Sequence, residues 1–282
     1  MKTSKKLPSI ARIAKFTLTD EVRQKSFVIM FVFCALCVFL LRGCYHGNYM
    51  VNGQTLDVAT VVKALSKVTF QVIGAGVMVI TALLSMRIFR RDRSEGLQSC
   101  VLSKPIVRWQ YVTGKIIGLW VLSVLFMFIL HGIIFLITSV NLQIFMPDYL
   151  VASLLCSVNL LFVVLAVLLF SLLMPDIVAF LCVLAVGVVG FVADGIASVS
   201  QSQIVQTLMQ QPGSGPQTEV TWWKIVYFVW PKLLGVQQSA TSLLGNEPFL
   251  GFGPLYPFLN VLGYCLILGA LLFWRFRKED IS

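Results

Sequence analysis

Uncharged apolar runs punctuate the chain at residues 68–86, 116–140, 150–173, 177–193 and 255–274. At about 1.5 Å per helical residue each suits a hydrocarbon core of roughly 30 Å, so five membrane-spanning helices are predicted. An earlier run from Phe27 to Leu41 is short by itself. Extended to residues 26–45, it makes a sixth span with Arg42 snorkelling at the interface. Ahead of it, Leu7, Ile10, Ile13, Ala14, Thr17 and Leu18 recur at three- and four-residue spacing. Arg12, Lys15, Thr19 and Arg23 fall on the other side, which predicts a basic amphipathic helix on the membrane surface within residues 1–25. Two polar stretches remain, a basic loop at 87–115 and a long segment at 194–254. The expectation is one all-α integral membrane domain covering residues 1–282.

Composition agrees: 58% of residues are hydrophobic, 12% are charged, and the mean hydropathy is +0.88, outside the range of soluble domains. Charge then orients the spans. With both termini on one side, that side holds 17 of the 22 Lys and Arg, and the other holds Arg42, Lys63, Lys67, Lys224 and Lys232. The positive-inside rule puts both termini in the cytoplasm. The net charge of +10 follows from topology and attraction to anionic lipid, so no nucleic-acid partner is expected. The N-terminus is not read as a cleaved signal, because its charged region is long and further spans follow. The seven cysteines imply no disulfide framework, since five lie within the apolar runs, and Cys34 and Cys37 form a C-x-x-C inside a helix.

Catalytic machinery is missing from the pattern. No G-x-x-x-x-G-K-[ST] loop occurs, and neither does H-E-x-x-H nor G-x-S-x-G. The chain is therefore expected to be no enzyme and to carry no cofactor or metal. Asp148, Asp176 and Asp194 fall at span ends, where water is expected to reach them, and no carboxylate lies at the midplane as ion-coupled carriers require. His131, in the middle of the third span, is the one ionisable residue at membrane depth. With Gln71 and Asn159 it is a candidate for lining a path; helix packing explains the same polar residues and the glycine pairs Gly74/Gly76, Gly114/Gly118 and Gly187/Gly190. No internal repeat is visible.

The loop Arg87–Lys115 has its own organisation. Asp92 or Ser94 is suited to cap a helix, Glu95 favours its positive end, and Leu97 and Val101 share a face. The residue before Pro105 is pushed out of the helical region, so a short helix over 94–102 is expected, rimmed by Arg90, Arg91, Arg93, Lys104 and Arg108. In the second polar stretch, residues 201–218 are rich in Gln, Ser, Gly and Pro and predict an exposed loop. Trp222, Trp223, Tyr227 and Trp230 form an interfacial aromatic group, with Pro231 breaking the helix. A surface-lying hairpin and a re-entrant one both fit.

The runs Glu95-Gly96-Leu97, Leu102-Ser103-Lys104-Pro105, Arg108-Trp109-Gln110 and Gly114-Lys115 resemble the loop between the second and third spans of ABC-2 type permeases. The likeness is strongest to the copper-enzyme-maturation (nitrous oxide reductase accessory) group. The ending Phe273-Trp274-Arg275-Phe276-Arg277-Lys278-Glu279-Asp280-Ile281 resembles that family's F-x-R-[RK]-D-[IL]. The segment YFVWPKLL at 227–234 resembles its aromatic Pro-Asn segment, with Lys232 where Asn is usual, and Leu97 replaces the usual Thr after Glu-Gly. The resemblance implies one protomer of a homo- or heterodimeric exporter in a prokaryotic inner membrane, resting on a separate ATP-binding subunit that holds ATP and Mg. It makes 94–102 the coupling helix, with Arg90, Arg91, Asp92, Ser94, Glu95, Gly96, Leu97, Gln98, Val101, Pro105 and Arg108 meeting the ATPase. Residues 7–23 become a connecting helix, and Trp222, Trp223, Tyr227, Trp230 and Pro231 an outer hairpin closing the pathway. Two other classes stay open: a membrane anchor or assembly factor using the same loop, and an ion-coupled carrier with His131 as its titrating centre. The substrate is undetermined.

Overall fold

The computed structural model describes residues 9–41, 43, 50–51, 54–55, 58–94, 107–142, 147–200, 229–245 and 253–278. Within them the regular elements are helices and one two-residue antiparallel ladder, Met50–Val51 against Gln54–Thr55. The helices are α1 (Ser9–Arg23), α2 (Lys25–Leu40), α3 (Val58–Met86), α4 (Ile88–Ser94), α5 (Arg108–Leu142), α6 (Asp148–Leu155), α7 (Ser157–Leu173), α8 (Asp176–Ser200), α9 (Leu233–Gly245) and α10 (Tyr256–Arg277). Five helical stretches are long and apolar enough to cross a membrane, and six if α1 and α2, bent by 70°, count as one.

The bundle is organised around α7. Its residues from Asn159 to Leu169 are almost all buried, and α3, α5, α8 and α10 pack around it. A helix that is apolar all round belongs in an interior or in lipid, and α7 takes the interior. The α6–α7 span breaks at Cys156, where Trp120 of α5 donates its indole N–H to the Ser157 carbonyl at 2.9 Å. A side-chain donor inserted into the helical ladder is an ordinary cause of such a break.

Several boundaries differ from the hydropathy reading. Helix α3 begins at Val58 rather than near Val68, so Lys63 and Lys67 ride on it instead of on a loop. Helix α5 begins at Arg108, which places Arg108 through Lys115 on a helix. Asp92 sits inside α4 and not at a helix start. Apolar runs mark only the part of a helix in hydrocarbon, and backbone hydrogen bonding carries the helix beyond it.

Helix α1 lays its Ile13, Thr17 and Glu21 face on the start of α5. Gly114 and Gly118 make that contact possible. A Cβ at Gly114 would stand 2.7 Å from Ile13, and one at Gly118 would stand 2.9 Å from the Ala14 carbonyl. The Gly-x-x-x-Gly pair is thus the seat of the N-terminal helix, the close backbone approach that small residues permit.

Side-chain contacts define two ends of the bundle. Arg90 of α4 meets Asp176 at the start of α8, and Arg108 at the start of α5 meets the Arg277 carbonyl at the end of α10. The start of α5 therefore lies at the same end as the close of α10. Asp194 lies on α8 about 27 Å farther along, at roughly 1.5 Å per residue, and marks the opposite end.

Candidate functional site

At the loop end, α4 is held by a lattice of buried charge. Asp92 bonds Lys115 Nζ at 2.7 Å, with the two side chains 1% and 3% exposed, and accepts the Tyr111 hydroxyl. The neighbouring Arg91 guanidinium spans to Asp20 and to Glu21 Oε1, the latter at 2.8 Å. Helices α1, α4 and α5 are thereby tied together through charge-assisted bonds, about twice as strong as neutral ones. Burial raises the Glu21 carboxyl above its usual range, and Arg91 opposes that shift. Phe89 of α4 and Tyr111 both stack near Phe276 of α10, at 5.6 Å and 6.1 Å between ring centroids.

At the opposite end the chain breaks at Trp230, Pro231 and Lys232 before α9 begins. Four side chains from neighbouring helices fasten this break. Asp194 takes Lys232 Nζ at 3.0 Å on one oxygen and the Gly235 N–H at 3.3 Å on the other. Asn260 Oδ1 accepts the Lys232 N–H at 3.1 Å, and Asn159 Nδ2 donates to the Leu233 carbonyl at 2.8 Å. Tyr264 donates to the Val229 carbonyl. Proline interrupts the helical ladder, and backbone groups in an apolar setting must find other partners. Asp194 also caps α9 from another helix, where the positive helix end favours a carboxylate. Burial pulls the Lys232 ammonium below the usual lysine range, against the opposing influence of Asp194.

A family model described as ABC-2 family transporter protein matches residues 11–281. The chain belongs to the ABC-2 transporter family. No curated protein matches it. The match covers both clusters, so in this ABC-2 member the loop-end lattice and the far-end clasp are parts of one transporter-family membrane domain.

The residues expected to meet an ATPase fall into distinct settings. Arg90 is 79% exposed, with Asp176 Oδ2 3.4 Å away. Arg91 and Asp92 face inward in the lattice and present no free rim, because their charges are satisfied by α1 and α5. Arg108 heads α5 and reaches Arg277. Ser94 ends α4. Glu95, Gly96, Leu97, Gln98, Val101 and Pro105, and with them the helix expected over 94–102, lie outside the described residues, as do Trp222, Trp223 and Tyr227. Trp230 donates its indole N–H to the Val186 carbonyl at 3.3 Å, fitting against Gly190, where a Cβ would stand 3.1 Å from the indole nitrogen. Pro231 is buried.

The three path candidates are engaged separately. His131 bonds Ser153 Oγ at 2.8 Å and stacks on Phe70 with centroids 4.4 Å apart and planes 6° apart. Asn159 holds the break before α9, and Gln71 is half-buried on α3. Asp194 corrects the expectation that water reaches it, being 4% exposed with its charge met by Lys232. Neither buried ion pair was visible in the pattern of residues. The one signal was Lys232 itself, a charge in an apolar segment where the family resemblance leads one to expect Asn.

Proposed function

We propose that this chain is the membrane-spanning permease of an ATP-driven transporter, resting on a separate ATP-binding subunit through the 95–106 segment. The observation that carries this reading is the lattice of Arg91 and Asp92 with α1 and α5. The helix leading into the segment is fastened to two other helices, so a push from below moves all three as one body. ATP and Mg belong to the partner, whose closure changes the contacts made with the segment in two states. Such differential contact is what a rigid-body switch between inward and outward access requires. Two protomers side by side, export as the direction, the prokaryotic inner membrane and cytoplasmic termini complete the proposal. The charge asymmetry of the loops supports that orientation, and the loop and tail motifs support the copper-enzyme-maturation subgroup. His131, held by Ser153 and Phe70, acts as a tie between α3, α5 and α6.

The test is gentle purification of the tagged chain, identification of stoichiometric companions by mass spectrometry, and ATPase assays on the reconstituted complex. A companion carrying a phosphate-binding loop is expected, with its association or stimulation lost in Glu95→Lys and Leu97→Asp while membrane insertion persists. A correctly inserted chain without such a companion would point to an anchor or assembly factor instead.

A further inference from the structure

Where α5 begins and α10 ends, a crevice of about 550 Å³ opens at the loop end of the bundle. Its volume falls in the range of small-ligand sites, roughly 300–1,000 Å³. Val107, Val112, Phe273 and Phe276 supply apolar lining, and Arg108 and Arg277 are its charged residues. No acidic side chain lines it among the described residues. The Arg108 guanidinium donates to the Arg277 carbonyl at 3.3 Å. Two other crevices among the described residues differ in kind. Those of about 210 Å³ and 240 Å³ beside α7 and α8 are lined by apolar and aromatic side chains with no charged group.

The level of the crevice is set by two tryptophans. Trp109, in its wall, is 51% exposed and Trp274, one helical turn back on α10, is 57% exposed. Lys278 stands over the Trp274 ring at 4.0 Å. Exposed tryptophans beside basic side chains at the ends of membrane helices mark the headgroup level. A crevice at that level, lined by two arginines and by apolar side chains, is complementary to a phosphate ester joined to an acyl chain. An acidic protein segment would offer the four apolar side chains no match.

We propose that the crevice between the start of α5 and the end of α10 is a specific site for an anionic phospholipid, with Arg108 and Arg277 on its phosphate and Val112, Phe273 and Phe276 along its acyl chain. The inference rests on the cytoplasmic orientation given above, and not on the transport reading. Binding there would staple α10 to α5 beside the lattice that holds α4.

The experiment is native mass spectrometry of the full-length chain, delipidated in detergent and titrated with phosphatidylglycerol or phosphatidylcholine. The wild type is expected to retain phosphatidylglycerol preferentially. Retention should fall roughly five-fold in Arg277→Gln and about twenty-fold in Arg108→Gln/Arg277→Gln, with phosphatidylcholine unchanged. Arg277→Gln alters an exposed side chain, so it keeps the test alive if the double variant fails to fold. Equal retention of the two lipids by wild type, or unchanged phosphatidylglycerol retention in both variants, overturns the proposal. Loss of a co-purified ATP-binding subunit with lipid retention intact also overturns it and gives the arginines to that partner. Selective lipid retention by a chain that has no ATPase companion would leave the site standing and sink only the coupling proposal.

Discussion

The two buried charge clusters of this chain use similar residues for different ends. At the loop end, Arg91 and Asp92 bond to side chains on α1 and α5, so helices that are each internally complete are joined to one another. At the far end, Asp194, Asn159, Asn260 and Tyr264 bond mainly to backbone groups of residues 229–235, a stretch that has lost its helical partners. The first arrangement makes a rigid block out of separate helices. The second stabilises an irregular backbone that could not otherwise sit among apolar helices. A block suits the transmission of force, and a fastened break suits a place where the chain must bend.

Stranding a buried carboxylate should have the largest effect at either end. Lys115→Met and Lys232→Met are each expected to cost about 3–5 kcal/mol in unfolding free energy in detergent micelles, whereas Asp194→Leu/Lys232→Met should recover most of that loss. The comparison sharpens in the loop-end pair. There Asp92→Leu/Lys115→Met should recover less, because the Tyr111 hydroxyl loses a close acceptor, whereas the far-end pair gives up only the long 3.3 Å bond from the Gly235 N–H. Equal recovery at both ends would erase the distinction drawn here.

A smaller effect is expected where α1 seats on α5. Gly118→Leu would press on the Ala14 carbonyl and on Thr17, costing about 1–3 kcal/mol. Cross-linking between cysteines placed on α1 and α5 should weaken in that variant while the far-end clasp is untouched; loss of contacts at both ends would mean that the two clusters are not independent. Smallest of all is Arg90→Gln. Its partner contact with Asp176 is long and largely exposed on the arginine side, so a change of roughly 0–1 kcal/mol is expected, diminishing with salt.

Much of the architecture was legible from order along the chain. The apolar runs located the spans, and Pro231 located the break before α9. Gly114 and Gly118 announced a close helix contact, although not that its partner would be α1. The residues of the two charge clusters were less legible. Arg91 and Asp92 looked like a docking rim because charge near a membrane helix end is usually solvated, and here both turn inward. Asp194 looked wetted for the same reason, until α9 covers it.

The sequence by itself determined that this is a multi-span helical membrane protein, which end carries the positive charge, and where the helices must break, because hydropathy, charge count and proline geometry are properties of local segments. Only the tertiary structure decided which spans are interior. The α6–α7 span and α8 have nearly equal mean hydropathies, 2.7 and 2.6, yet the first is 67% buried and the second 17%. Lipid and protein interior are equally apolar, so hydropathy cannot separate them, and packing small residues and pairing buried charges from distant positions does.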